Sequence, residues 1–256
     1  MPGILAALLL VAAPAPTTTA HPGPGPASPQ LLDRLAQTDN NLDQYYGTAD
    51  YLVTTHVQFL DPATGALKSE NQVVTRMFRK DGKPWEEITL FTEAGKDETA
   101  AHAAQRESQV QGGKRKRTDG IPFKSPFGPG EQPRYTFTDE GPDPVTPALE
   151  KLSFTPHTAA KDDYVGSALV EVANGWLRHI QFHPAVKPNF VHTLEVVMDF
   201  TATTPAGPAL THIVVDGEGG LFFVKRRQHV DSVISGYQMP GSGTAIDAAG
   251  PAKPVE

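Results

Sequence analysis

Residues 47–60 alternate apolar and polar side chains with a period of two. Tyr51, Val53, Val57 and Phe59 share a face with Thr55, the signature of a half-buried strand. Residues 61–65, Asp-Pro-Ala-Thr-Gly, read as a turn, residues 67–80 as a second strand, residues 81–84 as another turn and residues 85–91 as a third strand. An antiparallel meander is predicted. The clearest hairpin lies at 165–183. There Ala168, Val170 and Val172 alternate with Leu169, Glu171 and Ala173. Beyond Asn174-Gly175, the residues Trp176, Arg178, Ile180 and Phe182 alternate with Leu177, His179, Gln181 and His183. Asn-Gly suits a type I′ turn, which needs positive φ at both central residues. In 190–200, Phe190, His192, Leu194, Val196, Met198 and Phe200 share a face. Strands over 209–215, 221–229 and 230–237 complete the series, with 216–220 read as a turn.

Two segments break the period of two. Ser28-Pro29 gives a helix start, with Ser28 as cap and Pro29 in the first turn. Leu31, Leu32, Leu35, Leu42 and Tyr45 then place apolar groups largely on one face, so 29–45 reads as an amphipathic helix. Residues 97–110 are rich in Ala, Gln and Glu and read as a solvated helix at the sheet edge. Residues 121–130 carry two phenylalanines, Phe123 and Phe127, on a Pro-rich backbone: either a lid over an apolar cavity or a loop pinned to the core.

The ends differ from the middle. The apolar run 4–13 is far shorter than the ~20 residues needed to span a bilayer. It fits the hydrophobic part of a secretory signal over 1–20, although no Lys or Arg precedes it. Residues 21–28 read as a Pro/Gly-rich linker that forms no helix or paired strand, 29–239 as the folded domain and 240–256 as a disordered tail. A net charge of −7 argues against nucleic acid as a partner. The chain has no Cys, which excludes disulfides, thiolate catalysis and a lipid-anchored cysteine. Lys114, Arg115, Lys116 and Arg117 form a basic run between Gly and Thr-Asp-Gly. It reads as a solvated loop whose one candidate partner is an anionic membrane surface.

Candidate catalytic and metal chemistry is sparse. His179 and His183 lie four apart on a strand, about 13 Å along the chain, too far to share one ion. No Gly-x-Ser-x-Gly elbow occurs on a strand-to-helix turn, and Gly241-Ser242-Gly243 sits in the tail. Adjacent Glu86 and Glu87 face opposite ways on a strand. No catalytic residue, metal ligand or cofactor is assigned. The larger hint is a surplus: about ten strands each offer an apolar face, and two helices are too few to cover them. A strongly curved sheet can leave a cavity under such conditions.

The order of elements adds a family. Signal segment, amphipathic helix, three-strand meander and helical interruption lead to Tyr135-Thr136-Phe137, the LSFTP of 152–156 and the 166–183 hairpin. His183-Pro184, Lys187-Pro188-Asn189-Phe190, Lys225-Arg226-Arg227 and Ser235-Gly236-Tyr237 follow. In this order the chain resembles bacterial exported proteins related to the outer-membrane lipoprotein-sorting carriers LolA and LolB. The resemblance implies a mostly β (α+β) fold, a curved antiparallel sheet forming an unclosed β barrel with helices over its concave face. It also implies a soluble periplasmic or secreted protein whose partner is a lipid or an acylated protein. An acyl chain of ~16 carbons would gain on the order of 10 kcal/mol from burial before entropy losses. The candidate cavity wall is Val53, Val57, Phe59, Ile180, Phe182, Leu194, Val196, Met198 and Phe200, with Phe123 and Phe127 on the lid. A secreted hydrolase and a structural module of an envelope complex are the alternatives.

Overall fold

A computed structural model describes residues 23–80, 83–111, 123–221 and 224–239. The apolar run 4–13, the basic run Lys114 to Arg117 and the tail from residue 240 lie outside the described residues.

Twelve strands form one antiparallel sheet: β1 (Gly25–Pro26), β2 (Asp50–Leu60), β3 (Leu67–Lys80), β4 (Lys83–Glu93), β5 (Lys96–Asp97), β6 (Tyr135–Pro142), β7 (Glu150–Pro156), β8 (Tyr164–Glu171), β9 (Trp176–Pro184), β10 (Val191–Thr204), β11 (Gly207–Leu221) and β12 (Val224–Gln238). Helix α1 spans Pro29–Tyr46 and α2 spans Thr99–Gln111. The spatial order is β1-β6-β7-β8-β9-β10-β11-β12-β2-β3-β4-β5. Thus β12 returns to pair with β2, joining the early meander to the later strands. The layer does not close, and its edges β1 and β5 are two-residue strands that offer little backbone for pairing with another chain. The mostly β, unclosed-barrel expectation holds.

α1 begins where its sequence directs. The Ser28 hydroxyl accepts from Leu31 N–H at 3.2 Å, and Pro29 occupies the first turn, where its missing N–H costs nothing. Leu31, Leu35, Thr38, Leu42 and Tyr45 are its buried stripe, laid against β9 and β11. Gly175 makes that approach possible: an added Cβ would stand 2.4 Å from Arg34 Cβ, and its φ is +65°. Among the described residues, the core gathers at Phe137, Leu152, Phe154, Val170, Ile180 and Phe182 of β6–β9, under α1 and the segment that carries Phe127. α2 packs on β4, with the His102 ring stacked 3.9 Å from Phe91 and Arg106 paired with Glu86.

The main departures from the sequence reading are four. Gly25 and Pro26 do pair, with Asp139 and Thr138, because an edge strand tolerates a residue without an N–H. The 165–183 hairpin turns through four residues, 172–175, with positive φ at Gly175 alone. A register shift between Leu169 and Val170 then opposes Val170 to Leu177 and brings Leu177 into the core with Ile180 and Phe182. Gly217, Glu218, Gly219 and Gly220 are strand, not turn. There β11 presses on the preceding loop so closely that a Cβ on Gly219 would stand 2.5 Å from the Phe190 carbonyl oxygen. Finally, 224–238 is one strand, and the break read between residues 229 and 230 is paired without interruption to β2 and β11.

Candidate functional site

The concave face can be read as rows, because paired residues on neighbouring strands point to the same side. One row runs Thr55, Ser232, Ile213, Met198 and Ile180 across β2, β12, β11, β10 and β9. Beside it run Val53 with Ile234 and Thr75, then Tyr51 with Met77 and Glu86. On the other side runs the row Val57, Val230, Val215, Val196 and Phe182. In the first row Ser232, Ile213, Met198 and Ile180 are buried and Thr55 is half-buried; in the last row Phe182 is buried, while Val57, Val230, Val215 and Val196 are half-buried.

An open cleft of about 750 Å³ lies over the first of these rows. Its floor is Tyr51, Val53, Thr55, Thr75, Met77, Met198, Phe200, Leu210, Ile213, Ser232 and Ile234. Its roof is the C-terminal half of α1, through Asp39, Asn40, Leu42, Asp43 and Tyr46. Phe123, Lys124, Ser125 and the segment Gly128 to Glu131 form one side. Residues of β3 and of β10 share this one space although the strands between them separate the two in the sheet, so the sheet curves round it.

The floor is apolar apart from four hydroxyls, of Tyr51, Thr55, Thr75 and Ser232, and two of these satisfy each other: Thr55 Oγ1 and Ser232 Oγ lie 2.9 Å apart. The backbone N–H of Leu210 donates to the Tyr46 hydroxyl at 2.8 Å, while the Tyr237 hydroxyl donates to the Leu210 carbonyl at 2.6 Å. These two bonds clamp β11 where the β10–β11 register shifts. Burial pushes both phenols well above their ordinary range, so they stay neutral donors and acceptors.

The roof supplies the charge. Asp39 and Asp43 lie one turn apart and continue, by steps of four, the Leu31–Leu35 ridge of α1. Burial raises the Asp39 carboxyl to about 6; a Ser125 hydrogen bond works against this and the charge of Asp43 adds to it. Burial also raises Asp43. The remaining charges of the lining have partners: Glu86 pairs with Arg106, and Glu131 with Arg134 at 2.6 Å and Lys124 at 3.9 Å. The site therefore offers an oily floor under a roof of two carboxyls with weakened acidity. That arrangement suits it to sequestering apolar chain.

The sequence-derived wall residues are distributed over this face. Val53, Phe123, Met198 and Phe200 line the cleft. Val57, Phe59, Leu194 and Val196 lie further along the same strands, half-buried and outside the lining. Ile180, Phe182 and Phe127 are buried in the core, with Phe127 held 5.4 Å from Phe137 and 5.7 Å from Phe154. Phe123 stacks 5.0 Å from Phe182, so one aromatic of that segment anchors it while the other borders the cleft. Sequence reasoning missed Asp39, Asp43, Tyr46 and Thr75. The available signal was a leucine ridge on α1 that turns acidic in mid-helix.

On the opposite face, His179 Nδ1 lies 2.7 Å from Asp199, and His212 Nδ1 lies 3.4 Å from the other oxygen of that carboxylate. These contacts hold Asp199 below its ordinary acidity range, with the His179 hydrogen bond the main cause. No group of three or more metal-ligating side chains occurs among the described residues.

No protein-family model and no curated protein matches the chain. Among solved structures the chain is similar to a DUF1329 family protein from Desulfovibrio piger, at 11% identity over 84% of this chain and 94% of that one, with a TM-score of 0.40. It is similar to a LolA superfamily protein from Nitrosomonas europaea, at 9% identity, 79% and 93% coverage and a TM-score of 0.33. It is also similar to a chain of the MucA/MucB complex of Pseudomonas aeruginosa, at 11% identity, 80% and 94% coverage and a TM-score of 0.26. The reading of the site rests on the chain's own geometry. No helix among the described residues is long and apolar enough to cross a membrane.

Proposed function

We propose that this protein is an exported binding protein that holds the acyl chain of a lipid or lipoprotein against its concave face, acting as a carrier or sensor in the cell envelope. The observation behind this reading is the open cleft of about 750 Å³ between a mostly apolar floor and the C-terminal half of α1. That volume falls in the usual range for small-ligand sites, about 300–1,000 Å³. The floor provides the area term: about 0.8 kcal/mol for each CH₂ taken out of water. An open mouth lets a headgroup or an attached polypeptide stay in solvent while the chain lies inside. The apolar run 4–13 serves in this reading as the export signal, and the folded domain works in the periplasm or outside the cell.

The direct test is native mass spectrometry of the protein purified without detergent, with uptake of a fluorescent fatty acid measured in parallel. Co-purifying lipid, displaced by the added fatty acid, is the expected result. A consistently empty protein that takes up no fatty acid would overturn the proposal.

A further inference from the structure

Five large apolar residues are exposed among the described residues, and three of them, Leu67, Val186 and Phe190, lie at one end of the barrel. Register fixes this. Val191 pairs with Gly219, Gly219 with Arg226, Arg227 with Leu60 and Leu60 with Leu67, so the start of β10, the end of β11, the start of β12 and the β2–β3 connection share one rim. Val186 and Phe190 sit in the β9–β10 connection beside it. Phe190 is 61% exposed, Leu67 53% and Val186 37%.

Phe190 is the informative residue. Its φ is +68°, a left-handed conformation that costs a side-chain-bearing residue backbone energy. Its carbonyl is fixed there by Gly220 N–H at 2.8 Å. The strained backbone thus holds an aromatic ring out in water, where it contributes nothing to the core.

Charge singles out the same rim. Lys225, Arg226 and Arg227 are all exposed on it, although the whole chain carries −7. Of the acids beside these cations, Asp61 is held by Lys68 at 2.9 Å and Glu218 stands opposite Arg227 in the ladder. Apolar tips set among exposed cations match the interface of an anionic bilayer, where rings enter the headgroup layer and cations meet lipid phosphates. The half-buried row Val57–Val230–Val215–Val196 lies between this rim and the cleft, whose nearest floor residue on β2, Thr55, is about 16 Å from Leu60 along the strand.

We infer that this rim docks the protein on anionic lipid surfaces, through Leu67, Val186 and Phe190 inserted among the headgroups and Lys225, Arg226 and Arg227 on the phosphates. The inference stands on the rim's own exposure and charge, and it gives the proposed cleft a route by which an acyl chain enters or leaves.

The test is co-sedimentation of the full chain with phosphatidylethanolamine vesicles that contain phosphatidylglycerol, against vesicles of phosphatidylcholine alone. The rim predicts binding to the former, weakened by salt, and little to the latter. The charge reversals Lys225→Glu, Arg226→Glu and Arg227→Glu should each lower binding by at least about fivefold. Phe190→Asn keeps a residue that tolerates positive φ and should lower binding with unchanged Tm. Uptake of soluble fluorescent fatty acid by the same variants should stay at the wild-type level, which separates loss of docking from loss of the cleft. Substitution of Lys114, Arg115, Lys116 and Arg117 by Ala is the competing variant. Binding that disappears there but survives the combined reversal of Lys225, Arg226 and Arg227 is excluded by this assignment and would overturn it, as would equal binding to both kinds of vesicle.

Discussion

Two flanks of the same sheet carry the same kind of concave face and meet different fates. On β6–β9, Phe137, Leu152, Phe154, Val170 and Ile180 are buried. On β2 and β3, Val53, Thr55, Val73, Thr75 and Met77 are half-buried. Alternation is equally good on both. The difference lies in the cover: the first flank sits beneath the Leu31–Leu35 part of α1 and the Phe127 anchor, while the second faces the C-terminal part of α1 across an open cleft, touching it where Tyr46 meets Tyr51 at 6.3 Å. A strand pattern therefore states which face is oily, and the helices above decide whether that face becomes core or the floor of an open cleft.

The largest predicted effect lies on the covered flank. Phe154→Ala should cost about 3–5 kcal/mol by chemical denaturation, because the lost contacts with Phe127 and Tyr135 leave a cavity that cannot collapse. Gly175→Ala should cost roughly 2 kcal/mol or more, through positive φ and a clash with Arg34 that pushes α1 off β9. On the open flank the sign reverses at Asp39. Its folded-state carboxyl titrates at about 6 against 3.8 in the unfolded chain, so the contribution of Asp39 to stability is greatest below about pH 4 and is lost as pH rises to about 6. Asp39→Asn should remove that slope in pH-dependent melts and stabilise the protein at pH 7.5 by roughly 1–2 kcal/mol, below the full linkage value because the carboxyl borders an open cleft. The smallest effect is expected from Met77→Ala, at most about 1 kcal/mol, since a half-buried side chain loses little. Equal costs for Phe154→Ala and Met77→Ala would erase the contrast between the flanks.

Local signals carried α1 and the early meander. Ser28-Pro29 sets the start of α1 at the residue observed, and the turn at 61–65 separates β2 from β3, whereas Lys83 and Pro84, read as turn, already belong to β4. Where a partner strand decides, the local pattern is insufficient. The register shift opposite Val170 puts Leu177 inward, and nothing within 176–183 announces it. The glycines of 217–220 look like a turn because the close passage of Phe190, which requires small residues there, is a contact between distant segments. The candidate site was legible on the strand side, at Val53, Met198 and Phe200, since period-two faces follow from sequence. Its roof was not, because Asp39 and Asp43 gain their meaning from a floor supplied by strands far along the chain.

One substitution tests the central claim most directly. Thr75 stands mid-floor, paired with Val53 and opposed to Ile88, with open cleft above it. Thr75→Trp should obstruct the middle of the cleft and reduce fluorescent fatty acid uptake at least about tenfold while the protein still melts cooperatively. Uptake equal to wild type in a folded Thr75→Trp protein would contradict a cleft that holds the chain.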